Sequence, residues 1–272
     1  MLLISICIIV VLAIIAGFLA GLFGIGGGLI IVPGLYYTFT LLGYDETHLM
    51  HVAIGTSLAT IMATGLSSSY AHCKKGSVDF NLIQQISPGL VSGVILGTMI
   101  AAKVDSLWLK SFFVPALIIL AMLMLFKPKG NIQSSLPAWP ITTSISIVIG
   151  FVSSLMGIGG AALNVPFMSL HRVTIHKAIG SAAAMGILIS IIGSVGFIVI
   201  GTLEQATALP PFTIGYINWL ALLIIMPITI LMAPVGVNFA HRVPVNRLKK
   251  IFSIFLFFLA LRMAYEIYSS TS

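Results

Sequence analysis

Apolar residues in this chain come in long runs, not in alternation. Such runs cover about 1–23, 51–72, 80–102, 111–126, 178–200, 214–240 and 251–268, each at or near the roughly 20 residues a helix needs to cross a hydrocarbon layer. The strands of a membrane β-barrel would alternate polar and apolar positions, and these runs do not, so the pattern predicts spanning helices. Two further stretches, 24–43 and 140–170, are apolar but interrupted by "GIGGG" at Gly24–Gly28 and "GIGGA" at Gly157–Ala161. Residues 140–170 are too many for one span and too few for two. They predict a helix, a non-helical turn at Gly157 to Gly160 and a second short helix, with the same device at Gly24 to Gly28. Pro33 and Pro166, nine residues beyond the first glycine of each motif, are expected to break that second helix.

The chain also repeats itself. "GFLAGLFGIGGGLIIVP" from Gly17 aligns without gaps to "GFVSSLMGIGGAALNVP" from Gly150, with nine identities in seventeen positions. "HVAIGTS" from His51 then matches "HKAIGSA" from His176, and Pro88, Gly97, Ala101, Lys103, Leu109 and Lys110 correspond in order to Pro227, Gly236, Ala240, Arg242, Leu248 and Lys249. Two versions of one unit, 1–126 and 140–272, are expected on either side of a polar linker at 127–139.

Composition fixes the class. With 59% hydrophobic and 7% charged residues and a mean hydropathy of +1.16, the chain reads as an integral membrane protein. The first run has no basic segment before it and a counterpart later, so it reads as a structural helix and not as a signal peptide. Cys7 and Cys73 are the two cysteines, too few for a disulfide framework or a CxxC metal site. The formal charge of +7 does not imply nucleic acid, because the basic residues sit in short loops.

Their distribution sets the expected topology. If each broken element returns the chain to its starting side, Lys74, Lys75, Lys127, Lys129, Arg172, Lys177, Arg242, Arg247, Lys249 and Lys250 share one face with a single acid, Asp79. Asp45, Glu46, Asp105, Glu204 and Glu266 fall on the other with Lys103, Lys110 and Arg262. Ten bases against three mark the first face as cytoplasmic. Equivalent loops of the two halves then lie on opposite sides. The expected fold is therefore an all-α membrane protein of two inverted-topology repeats, each a glycine-broken hairpin plus three transmembrane helices. That makes eight full spans, or about ten if the broken segments count twice, with both termini outside the cytoplasm and a bacterial inner membrane as the setting.

The breaks carry the candidate chemistry. Glycines admit backbone conformations and approaches closed to other residues, and the free amides of a following helix, with its dipole, favour an anion. Gly24, Gly26, Gly27, Gly28, Gly157, Gly159 and Gly160 are thus candidates for a substrate cradle, close helix packing being the alternative. Thr56, Ser57 and Ser181 follow the matching histidines and would either donate to an oxyanion or bond their own helix's carbonyls. Asn164 breaks an apolar pattern where the first half has Ile31, which makes it the leading polar contact. His51 and His176 are candidates for proton coupling, against an interfacial role. No acid lies clearly inside a span, which argues against a cation pathway. Trp108, Trp139 and Trp219 lie near span ends, as an interfacial belt requires.

The paired "GIGGG....P" and "GIGGA....P" elements, each followed by "A-I-G-[TS]", resemble the TauE/SafE family of membrane transporters, over essentially the whole chain. The resemblance implies a secondary transporter for small anions, with sulfur oxyanions or organosulfonates as the leading class. By position the family's motif falls on Gly24, Gly26, Gly27, Gly28 and Pro33, on Gly55, Thr56 and Ser57, and on Gly157, Gly159, Gly160 and Pro166. Ala161 departs from the triple glycine and Ala182 stands where Ser57 has its equivalent.

The expected function is a carrier that binds its anion between the two halves and alternates access. An anion channel is the nearest rival. A membrane-embedded enzyme would need paired acids, a metal-ligand cluster or a nucleophile with its base, and the spans supply none, so neither catalysis nor a metal or other cofactor is expected. There is no GxxxxGK[ST] loop to bind ATP. The expected partners are the small anion and the lipid bilayer; a homodimer would be unsurprising, though no single face is marked for one.

Overall fold

The computed structural model describes residues 2–125, 136–171, 173–204, 209–240, 242 and 245–271. Most of the 127–139 linker, with Lys127 and Lys129, and Arg172 lie outside the described residues, as do the side chains of Arg247 and Lys249. Among the described residues ten α-helices follow one another: α1 Leu2–Phe23, α2 Gly28–Leu41, α3 Leu49–Cys73, α4 Phe80–Ala101, α5 Ser106–Leu125, α6 Trp139–Leu155, α7 Ala161–Leu170, α8 Ile175–Leu203, α9 Trp219–Ala240 and α10 Val245–Thr271. A 3-10 turn, Glu46–His48, leads into α3.

Among the described residues seven helices are long and apolar enough to cross a membrane, and α2, α6 and α7 are shorter apolar helices. The protein is an all-α integral membrane protein. Large apolar side chains such as Val11, Leu223, Leu231 and Phe258 are exposed around the bundle, where lipid, not water, is the solvent. Trp139 and Trp219 begin α6 and α9, and Trp108 lies in the first turn of α5.

Two expectations need correction. The chain does not break at its prolines: Pro33 and Pro166 lie inside α2 and α7, each at the sixth residue. Proline's fixed φ suits a helix, and neither the missing N–H nor the ring's crowding of the carbonyl four residues back ends α2 or α7, each of which continues for at least another turn. The apolar run from 214 is not all helix either. Thr213–Ile214 (β1) and Ile217–Asn218 (β2) form a small antiparallel hairpin turned by Gly215, and α9 begins only at Trp219.

α3 and α8 pack against each other at the centre, α1 packs on α9, α4 on α6, and α5 on α10. Close approaches repeat between equivalent positions. A methyl group on Gly236 of α9 would stand 2.0 Å from the Phe18 carbonyl oxygen of α1, and one on Gly97 of α4 would stand 2.8 Å from the Phe151 oxygen of α6. Phe18 and Phe151 are matched by the aligned glycine motifs, as are Gly97 and Gly236 by the later block.

Candidate functional site

The two glycine breaks touch. A Cβ on Gly28 would lie 2.2 Å from the carbonyl oxygen of Gly157 and 3.0 Å from the Ile158 Cα. Gly24 backs onto Ile179 of α8, and its counterpart Gly157 backs onto Ile54 of α3. Gly26 and Gly159 both face Ile61, the middle residue of α3. Gly160 faces Ile189, the middle residue of α8. The breaks therefore meet at mid-height of the two central helices.

Backbone conformation explains why glycine stands there. Gly27 and Gly160, the residues that cap α2 and α7, have φ of 83° and 73°, the left-handed region that L side chains resist. From each cap the helix starts afresh. Its first backbone bonds run from Ile30 and Ile31 to Gly27, and from Leu163 and Asn164 to Gly160, which leaves the amides of the first turn without intrahelical acceptors.

Among the atoms nearest the break glycines, polar side chains stand at the second break and not at the first. A Cβ on Gly160 would stand 3.2 Å from Nδ2 of Asn164 and 3.3 Å from Oγ of Ser153. Both side chains are fully buried, and both polar atoms of Asn164 and the Ser153 hydroxyl have no hydrogen-bond partner in the protein. Buried polar groups are rarely left so, because each costs about 1–3 kcal/mol. The aligned positions of the first half are Ala20 and Ile31. Ile25, Ala161, Ala162, Val165, Pro166 and Ile179 help line a small cavity beside the start of α7, on which Ser153, Gly160 and Asn164 do not border.

The hydroxyls expected beside the breaks have structural partners. Ser57 donates to the Gly157 carbonyl at 2.8 Å and so clamps the second break to α3. Thr56 Oγ1 accepts the Asn218 amide at 2.9 Å, and Ser181 Oγ accepts the Asp79 amide at 2.9 Å. These are equivalent contacts, since Asn218 precedes α9 and Asp79 precedes α4. The glycines beside them match too: a Cβ on Gly55 would meet the Tyr216 oxygen at 2.3 Å, and one on Gly180 the Ser77 oxygen at 2.2 Å. Ser181→Ala would strand the Asp79 amide, which should lower stability by about 1–3 kcal/mol. Thermal unfolding should register that loss while the KM for substrate stays unchanged; a raised KM would put Ser181 back at the site.

The histidines lie away from the breaks. His51, 3% exposed, donates from Nε2 to the carbonyls of Ala101 and Val104 at 3.0 and 3.1 Å and packs on the Tyr216 ring with centroids 4.9 Å apart. It tethers the α4–α5 loop. His176 is half-buried at the start of α8. Outside the spans, Tyr216 donates to Glu204 at 2.6 Å; burial, and then that carboxylate, hold its phenol well above the ordinary value.

Ser153 is the residue that sequence reasoning missed at the breaks. The comparison that sets Asn164 against Ile31 also sets Ser153 against Ala20, and that contrast was the available signal. The acids also need a correction: Glu266 lies within the α10 span, and Lys110, expected as a loop base, is 5% exposed. Among the described residues no group of three or more His, Cys, Asp or Glu could hold a metal ion.

Comparison with known proteins follows the same outline. The family profile described as sulfite exporter TauE/SafE matches residues 9–263. A probable membrane transporter protein of Haemophilus influenzae is 36% identical over 249 residues, covering 91% of this chain and 94% of its own. The probable membrane transporter protein YunE of Bacillus subtilis is 31% identical over 284 aligned residues, covering 96% and 98%. YdhB of the same organism, also named a probable membrane transporter protein, is 27% identical over 262 residues, covering 92% and 95%.

Proposed function

The chain belongs to the sulfite exporter TauE/SafE family, and from that premise we propose that it is a secondary carrier for a small anion, a sulfur oxyanion or an organosulfonate, held at the paired helix breaks. The observation that carries this reading is the unpartnered Asn164 amide and Ser153 hydroxyl, buried against Gly160 at the start of α7. The amide nitrogen, the hydroxyl and the first-turn N–H groups are donors, and a helix N-terminus favours negative charge. No charged side chain is among the atoms nearest the break glycines, so in this reading backbone and neutral donors hold the anion.

Alternating access follows from the tight closure of the site. Asn164 and Ser153 have no exposed surface, so in this reading an anion reaches them only when helices separate. The two halves, 1–126 and 140–272, act in this reading as inverted repeats that rock against each other. The exchanged pairings support it, since α1 takes α9 as its partner where α6 takes α4. The same reading puts the protein in a bacterial inner membrane with both termini outside the cytoplasm.

The test is uptake and counterflow in proteoliposomes with radiolabelled sulfite, sulfate, thiosulfate and a small sulfonate, beside a Gly27→Leu, Gly160→Leu double variant. Saturable exchange of one anion, lost in a variant that still inserts and purifies normally, is the expected result. No anion flux in the wild type, or equal flux in the variant, would return the glycines to helix packing.

A further inference from the structure

Side chains from three other elements converge on one phenol oxygen. Tyr36 of α2, with no exposed surface, has Lys110 Nζ of α5 at 2.7 Å, Glu46 Oε2 of the 3-10 turn at 2.9 Å and Glu266 Oε1 of α10 at 2.9 Å. Lys110 also pairs with Glu46 Oε2 at 2.9 Å. The remaining charged and titratable groups nearby are Tyr37, beneath the Arg262 guanidinium at 4.4 Å from its ring centroid, and Asp45, whose carboxylate turns away to the Thr47 amide.

One phenol hydrogen cannot serve two carboxylates. A phenol oxygen has one hydrogen to give and two lone pairs. The ammonium of Lys110 only donates, so it fills one lone pair, and the phenol hydrogen serves one carboxylate. With the phenol hydrogen on Glu46, Glu266 meets a lone pair at 2.9 Å, two acceptors with nothing between them. With it on Glu266, Glu46 meets a lone pair at the same distance, and only the Lys110 ammonium, which reaches both oxygens, offsets the contact. One further proton removes the conflict: a carboxylic acid donates to the phenol, and the phenol donates to the opposite carboxylate.

We infer that Tyr36, Glu46, Glu266 and Lys110 form a proton-binding site, in which one proton is shared between the two carboxyl groups through the Tyr36 hydroxyl. Glu46, with half of its side chain exposed, connects the site to bulk water. Tyr36 lies about two turns along the helix that begins at the Gly28 break, whereas Lys110 and Glu266 belong to α5 and α10, which pack on each other. Movement of α2 against that pair parts the phenol from a carboxylate and dismantles the proton's site. In a carrier, a role that rests on the function proposed above, opening at the breaks would therefore be coupled to proton release.

Infrared difference spectroscopy of the purified full-length protein in lipid, between acidic and alkaline buffer, tests the site without any transport. Glutamine at either carboxyl position supplies its own N–H donor, so the wild type should show a carboxylic-acid carbonyl band that is absent from both Glu46→Gln and Glu266→Gln and present in Glu204→Gln. An isolated acid would lose its band in only one of the two. No band in the wild type, or a band that survives either substitution, would overturn the inference. In proteoliposomes an imposed pH gradient should drive anion flux in the wild type and fail to drive it in Glu266→Gln, which should still exchange. Absence of any flux in the wild type would defeat the carrier reading and leave the infrared result standing.

Discussion

Gly28→Ala is expected to reduce anion transport by about tenfold or more, although φ at this position suits any residue. The added methyl would lie 2.2 Å from the carbonyl oxygen of Gly157, a backbone atom with no rotamer to escape into. Ser57 holds that same carbonyl at 2.8 Å, so it cannot move without breaking the bond to α3. Overpacking of this kind costs about 1–3 kcal/mol, and here the cost falls on the geometry between the two breaks. Gly159→Ala is the matched control: its methyl would meet the Ile61 Cγ2 at 3.2 Å, the end of a side chain that can shift. Initial rates and saturation curves in proteoliposomes would measure both, with melting temperatures to show that each variant folds. Wild-type rates in Gly28→Ala would mean that the contact between the breaks has no part in transport.

Asn164→Leu should move stability and transport in opposite directions. The substitution keeps a similar volume and removes two buried polar atoms that lack protein partners, so the fold should gain about 1–3 kcal/mol. It also removes the side-chain amide beside Gly160. Affinity for the anion should fall by about tenfold to a hundredfold, as for the loss of one or two hydrogen bonds to a charged group. The melting temperature of the substrate-free protein and a binding isotherm test the two halves of the expectation separately. Destabilisation with unchanged affinity would make Asn164 an ordinary structural residue.

How much of this could be read from the sequence depended on the range of the interaction. The long spans were legible because a helix that crosses a membrane must be apolar along its whole length. The turns at Gly24–Gly27 and Gly157–Gly160 were legible because a motif with four glycines in five residues recurs with three in the second half, and Asn164 because its counterpart is Ile31. The hairpin at 213–218 was hidden by its own apolar residues, Ile214 and Ile217, which read as the start of a span. Its kinship with the loop at Gly76–Asp79 shows only when both loops hang from equivalent hydroxyls. The Tyr36 cluster was the least accessible. Its members lie on four elements, Tyr36 and Glu266 being 230 residues apart, and periodicity within an element says nothing about which helix comes alongside. Lys110 looked like a surface base because it follows Asp105 by only a turn and a half.

The amide tethers at Thr56 and Ser181 have a consequence for how the chain is made. Thr56 belongs to the first half and holds a loop of the second, while Ser181 belongs to the second and holds a loop of the first. The most extensive packing partners of α1, α3, α4 and α5 likewise come from beyond residue 138. A ribosome that has delivered only the first five helices has therefore released segments that can pair α2 with α1 and α3 but that lack the most extensive final neighbours of α1, α3, α4 and α5. Assembly must wait for α6 to α10, so the membrane insertion machinery or lipid has to hold the early helices apart without letting them find wrong mates. It also follows that the two halves, supplied as separate polypeptides, should be degraded when made alone and should recover when made together.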